Sequence, residues 1–203
     1  AAALDQLSVV NNFGVDVDSN HIRILTTGTH DRALMKRIGK NFPKALMGLP
    51  WKIDYVIKIP ALTDLEIDGG IGPISLSGVE GQLRLNALKS DARLTLTGGL
   101  AVVVIQAGSI DVTVRGRGWH GLGAEVSLAS GNLNVDLMPG FSADINADVL
   151  RLGEIKNSFA DLKPRDGAGS NQRSLRARAG SGGATLSFTV GDGTIAIRQN
   201  GGQ

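Results

Sequence analysis

The chain of 203 residues contains no cysteine. Disulfides, thiolate-held zinc, iron–sulfur clusters and cysteine nucleophiles are therefore excluded. Aromatic residues make up only 4% of it, so a core must be assembled from Leu, Val, Ile and Ala. Long apolar runs are missing as well. The longest, Leu100 to Ile105, has six residues, against the ~20 that a membrane-spanning helix needs. The three histidines, His21, His30 and His120, show neither HxH nor HExxH spacing, so a zinc site would have to converge from distant segments. No metal and no cofactor is expected.

What is abundant is glycine, 28 residues of 203, about twice the usual ~7% share and without a collagen-like period. With 42% hydrophobic and 20% charged residues the composition is that of a folded chain, and its length suits one domain over 1–203. The net charge of +2 is uneven: residues 1–50 carry six Lys/Arg against four acids, 51–150 seven against eleven, and 151–203 eight against four. Basic residues interleaved with aromatics on one element, the mark of a nucleic-acid binder, are not found, so no nucleic-acid partner is expected.

The informative feature is a nine-residue rhythm. Apolar and polar residues alternate in short runs, as in strands with one buried face. Leu65 and Ile67 are followed nine later by Ile74 and Leu76, then by Leu83 and Leu85, by Ala92, Leu94 and Leu96, by Ala101, Val103 and Ile105, and by Ile110, Val112 and Val114. Glycines such as Gly78, Gly81, Gly98, Gly99 and Gly108 punctuate the runs and supply corners. The phase is lost through Arg115–Gly123, resumes at Val126, Leu128, Val135 and Leu137, and returns as Leu186, Phe188, Ile195 and Ile197. An antiparallel sandwich spaces strands every 8 to 12 residues, whereas a parallel β-solenoid needs coils of matched length, ~18 residues each. The constant step favours the solenoid, with Leu65, Leu83 and Ala101 stacked on one wall and Ile74, Ala92 and Ile110 on the other. Residues 65–150 would then make roughly five coils.

Around this repeat region, 61–150, the sequence suggests an N-terminal segment, 1–60, and a C-terminal one, 151–203. Strands are expected at Leu7–Val17, His21–Leu25 and Trp51–Ile59. A helix is expected over Asp31–Phe42, where Leu34, Ile38 and Phe42 recur at i, i+4, i+8 and Pro43 ends the pattern, within a helical insertion at 31–50. The stretch 163–173, with Pro164, Gly167, Gly169, Ser170 and Asn171, reads as a mobile loop.

The run Leu65–Thr97, with its Gly corners and Ser-Gly-Val-Glu-Gly turn, resembles a bacterial adhesin family related to toastrack domains. The ending Gly180–Arg198 is similar to that family's closing rung, and Leu7–Leu25 to its first strand pair. The resemblance covers most of the chain except the segment at 31–50. It implies a β-solenoid in an exported, periplasmic or cell-surface protein, without catalytic residues to carry over. A partner such as an envelope polymer, a glycan or another protein is expected, and a self-associating structural module that assembles through coil ends is an alternative reading. The Ala-Ala-Ala-Leu start is compatible with a signal cleavage site and equally with a truncation.

Against this stands an enzyme reading, a β-helix polysaccharide lyase or hydrolase working with paired carboxylates. Glu66, Asp68, Glu80, Asp91 and Asp111 fall at outward strand or turn positions, where a solvated face explains them. Calcium repeats of nine residues need an Asp in each corner, and Gly69–Pro73 and Gly98–Leu100 carry none. The best candidate binding segment is the break in the rhythm, where Arg115, Arg117, Trp119 and His120 lie on a glycine-rich loop able to stack a sugar ring or hold an anion. Trp119 also stands nine after Ile110, which favours its packing inward. Arg173, Arg176 and Arg178 form a candidate anion patch, although three arginines also simply keep a glycine-rich segment soluble. Gly180-Ser-Gly-Gly could be an anion nest beside them and reads better as a tight corner.

Overall fold

The structure, a computed structural model, describes residues 2–38, 40–47, 49–165 and 171–200 and divides the chain at Lys58/Ile59 into two compact units. In the N-terminal unit, Leu7 and Val10 are spaced to share one helical face, and they do so on α1 (Ala2–Val10). They meet Phe42 and Leu46 in a small core, with Leu34, Met35 and Ile38 packed against it. A helix thus occupies the first part of the expected Leu7–Val17 strand; β1 begins only at Asn12 (Asn12–Val17) and pairs antiparallel with β2 (Ile22–Thr27). The expected helix is present as α2 (Arg32–Ile38), and Asp31 caps it by accepting from the backbone N–H groups of Ala33 and Leu34. A 3-10 turn follows at Lys44–Leu46, seating Leu46 in the core.

Trp51–Ile59 is not a strand. Alternation gives an extended backbone, but a strand also needs a hydrogen-bonded neighbour, and none among the described residues is paired with this segment. Its side chains are anchored one by one instead. The Trp51 indole N–H donates to Thr29 Oγ1 at 3.0 Å, and the Tyr55 hydroxyl lies 2.7 Å from Thr26 Oγ1.

The C-terminal unit is nearly all strand: β3 (Leu65–Ile71), β4 (Ile74–Ser77), β5 (Gln82–Leu96), β6 (Gly98–Val114), β7 (His120–Leu137), β8 (Ala143–Asn157), β9 (Leu162–Pro164), β10 (Ser174–Ala179) and β11 (Thr185–Gln199). They form one sheet in the order β3-β5-β6-β7-β11-β8-β10-β9, with β4 also on β5. Pairing from β3 to β8 is parallel throughout, which is not the pattern of an antiparallel sandwich. Leu65 lies beside Leu83 and Leu83 beside Ala101; Ile74 lies beside Ala92 and Ala92 beside Ile110. Each offset equals two of the nine-residue steps. The residues in phase, from Leu83 to Val114, are buried, because a strand pairing on both sides keeps one face from water along its length.

Two departures from the regular expectation shape the unit. Between β6 and β7 the offset lengthens by five, as Ala101 beside Ala124 shows, and the extra residues fall at the Arg115–Gly123 break. Beyond β7 the next place is taken by the C-terminal strand: β11 lies between β7 and β8 and is parallel to both. The repeat region is therefore not a continuous stack over 65–150. Leu186, Phe188, Val190, Ile195 and Ile197 are all buried, which suits β11 to an interior place, whereas Leu150–Asn157 of β8 is largely exposed.

The segment expected to be a mobile loop is in part structured. Leu162–Pro164 pairs with β10, Arg165 N–H donates to Arg176 O, and Asn171 turns back onto Ser174; residues 166–170 lie outside the described residues.

At one corner Gly108, Gly131, Gly193 and Gly153 stand side by side on β6, β7, β11 and β8. All four have φ between +128° and +141°. A Cβ there would sit about 2 Å from a carbonyl oxygen of the neighbouring strand. Only glycine passes this corner at such close approach.

Candidate functional site

The inserted residues place the candidate binding segment in the connection from β6 to β7. Trp119 points inward: it is buried, belongs to the main core, and donates its indole N–H to Gly99 O at 3.0 Å. A buried ring with its one donor satisfied is not presented to a sugar, so the stacking role weighed for Trp119 is replaced by packing. Around it the backbone is tied down by the Gly118–Ser142 bridge and by Ser142 N–H donating to Arg117 O. Arg115, Arg117 and His120 remain exposed, and neither arginine has an ion-pair partner among the described residues. The loop therefore holds two cations and an imidazole outward on a pinned frame.

The second arginine group is built differently. β8 and β10 are antiparallel, so Asp144, Asn146 and Asp148 lie directly opposite Arg178, Arg176 and Ser174 on one face. Arg178 Nε donates to Asp144 at 2.8 Å, and Arg176 holds Asp148 through two nitrogens at 2.8 and 3.1 Å. Ser174 Oγ adds a bond to Asp148 at 2.9 Å, Arg165 reaches Asn146, and Arg173 donates to Arg151 O. The guanidinium of Arg178 beside Asp144 holds that carboxyl below its usual range. Two of the three cations in the expected anion patch are thus paired with carboxylates, while Arg173 donates to a backbone carbonyl, so the patch is a partly neutralised ladder rather than a bare cationic surface. The partners Asp144 and Asp148 were missed from the sequence. The usable signal was complementary alternation, Asp-Ile-Asn-Ala-Asp at 144–148 against Ser-Leu-Arg-Ala-Arg at 174–178.

A third pair, Arg151 with Asp192, joins β8 to β11 through a fork at 2.6–3.1 Å and lowers the Asp192 pKa, chiefly through the hydrogen bonds from Arg151. Nothing local in the sequence connects two residues so far apart. The Gly180–Gly183 corner closes as a turn, with Gly182 N–H donating to Ala179 O and Ser181 N–H to Ser142 Oγ, which takes two of the donors a nest would offer.

Four of the outward acids bond to a neighbouring segment of the unit. Asp68 accepts from Asn86, Asp91 from Ser109 and Asp111 from Asn134, at 2.6–2.9 Å, each across one inter-strand step; Glu80 accepts from Thr97 at 3.4 Å. His21 lies 3.4 Å from Asp18 and His30 stacks on Trp51, both in the N-terminal unit, while His120 starts β7. Among the described residues no three His, Asp or Glu side chains group as metal ligands, and no helix is long and apolar enough to cross a membrane.

Comparison with known protein families, curated proteins and solved structures gives no match for this chain. The adhesin resemblance therefore rests on the residues quoted for it.

Proposed function

We propose that this chain is a non-enzymatic exported protein of the bacterial cell envelope, of the adhesin type, with a binding role carried on a β-solenoid scaffold. The solenoid reading is supported by consecutive strands: β5 ends at Leu96, β6 starts at Gly98, and the two run parallel in register. With no room for a crossover connection, coiling once in every two nine-residue steps accounts for this pairing.

The observation that carries the binding role is the loop at 115–121. It is inserted into the repeat, its frame is anchored by buried Trp119, and it projects Arg115 and Arg117 without ion-pair partners among the described residues. Such a loop suits an anionic polymer of the envelope, held by charge and released by salt. Arg115→Ser with Arg117→Ser should abolish retention of the protein on a polyuronate matrix at low salt. Wild-type retention should fade as the screening length falls from ~10 Å at 0.1 M to ~3 Å at 1 M. Unchanged retention by the double variant refutes the site. Turnover of any glycan in a panel of uronate and neutral polysaccharides refutes the non-enzymatic reading.

A further inference from the structure

The β1–β2 ribbon has one largely apolar face, with Thr26 its only polar residue. Phe13, Val15 and Val17 lie opposite Thr26, Ile24 and Ile22, and alternation puts these six side chains on the same side. The other side carries Asn12, Gly14 and Asp16 opposite Thr27, Leu25 and Arg23. All five hydrophobic residues of the apolar face are exposed: Phe13 50%, Val15 55%, Val17 65%, Ile22 72% and Ile24 37%. In the C-terminal unit the same residue types at alternate positions, such as Val103 and Ile105, are fully buried. A two-stranded ribbon alone is marginal in water and gains its stability from a layer on its apolar face.

We propose that this face docks against the same face of a second copy of the chain, so that two ribbons stack about a two-fold axis. Size is the first support. Together with Tyr55, 39% exposed and edge-on to Phe13 at 5.8 Å, the face leaves on the order of 500 Å² open per copy. Two copies would bury about 1,000 Å², where specific protein interfaces begin. Charge is the second support. The face carries no ionisable side chain except the Tyr55 hydroxyl at its rim, so two identical faces meet without repulsion, as a two-fold contact requires. β-branched rows at its centre suit sheet-on-sheet stacking at ~10 Å. A lipid surface fits less well. Asp18, at the tip beside Val17, accepts from the N–H groups of Asn20 and His21, which puts a carboxylate where anionic headgroups would lie. The proposal does not depend on what the loop at 115–121 binds.

The test is sedimentation of the full chain across a wide range of concentration. The wild type should show a monomer–dimer equilibrium. Val15→Lys, at the centre of the face and already half exposed, should weaken the dimer by at least about 100-fold in Kd, because like charges would face each other across the axis. Leu25→Lys, equally exposed on the opposite side of the ribbon, should leave the dimer intact. Circular dichroism reports whether each variant is folded. Because the chain has no cysteine, Val15→Cys supplies a second readout: a short bis-maleimide should cross-link two copies of it, and should not cross-link Leu25→Cys. A wild type that stays monomeric at every concentration overturns the proposal, whether or not it then binds lipid vesicles, and so does a dimer unaffected by Val15→Lys.

Discussion

The corner glycines make the sharpest test of how the C-terminal unit is built. Gly131 has φ +139°, a region that L side chains rarely enter, and its backbone passes so close to β6 that an added Cβ would lie 1.8 Å from Gly108 O and 2.9 Å from Gly108 C. Gly131→Ala therefore meets two costs. Holding a non-glycine residue in that region costs about 1–3 kcal/mol. The methyl group must also push a carbonyl fixed in a ladder, since β7 pairs with β6 on one side and β11 on the other, and such overpacking typically costs about 1–3 kcal/mol more. A loss of about 2–6 kcal/mol is expected, a large share of the ~5–15 kcal/mol that stabilises an ordinary domain.

Gly140→Ala separates the two contributions. Gly140 has φ +72° with nothing within 4 Å of its added Cβ, so it meets only the left-handed penalty of about 1–2 kcal/mol. Urea denaturation followed by circular dichroism gives both values. If Gly131→Ala costs no more than Gly140→Ala, the close stacking of glycine corners is wrong.

Three other outcomes follow from the same structure. Trp119→Phe should cost about 1–3 kcal/mol in urea denaturation, because Gly99 O loses its donor in a partly buried place, and should leave polyuronate retention unchanged; lost retention in a stable variant would return the ring to the surface. Replacing Arg173, Arg176 and Arg178 together by Ser should lower stability by about 1–2 kcal/mol, since Asp144 and Asp148 lose their partners on a half-exposed face, and should not change retention on anionic vesicles at low salt; lost retention would restore the anion patch. The folded pKa of Asp144 lies below its unfolded value of about 3.9, so its contribution is present above that pH and lost as pH falls through the lowered value; Asp144→Asn should flatten the acid limb of the stability curve, and an unaltered limb would refute the pairing with Arg178.

The repeat was legible because its cause is local and periodic. Leu65, Leu83 and Ala101 must recur at a fixed distance if each strand is to lie beside the last, and that distance is written in the sequence. The inward turn of Trp119 was legible for the same reason, since its position keeps the phase of Ile110. Where pairing is not periodic the reading failed. Trp51–Ile59 alternates as a strand would, and alternation cannot say whether a neighbour exists. Leu7 and Val10 fit a helical face or an apolar run equally well, and the choice falls to Phe42 and Leu46, far along the chain. Of the candidate site, the exposed arginines of the loop could be named in advance, whereas the commitment of Arg176 and Arg178 depends on which strand lies opposite them.

That β11 should interleave between β7 and β8, rather than close the stack in sequence order, has a physical reason that magnitudes decide. Pairing Leu186 with Ala124 closes a loop more than three times as long as pairing Leu83 with Ala101 does. The extra loop-closure cost grows only with the logarithm of length and comes to about 1 kcal/mol. In return β11 gains an interior place, where Leu186, Phe188, Val190, Ile195 and Ile197 are all buried. At about 1.5–3 kcal/mol for each side chain taken from water, that burial is worth several times the closure cost, even after allowing for a denatured chain that is already partly compact. β8 could not fill the same place, because Leu150, Arg151 and Leu152 are exposed and Glu154 and Lys156 pair with each other at the surface. Its first half suits a core and its second half suits an edge. A strand of that kind belongs outside one that is apolar along both halves. Chain order therefore yields to burial, and the C-terminal strand becomes the element that joins β7 to β8, a role the nine-residue rhythm alone does not reveal.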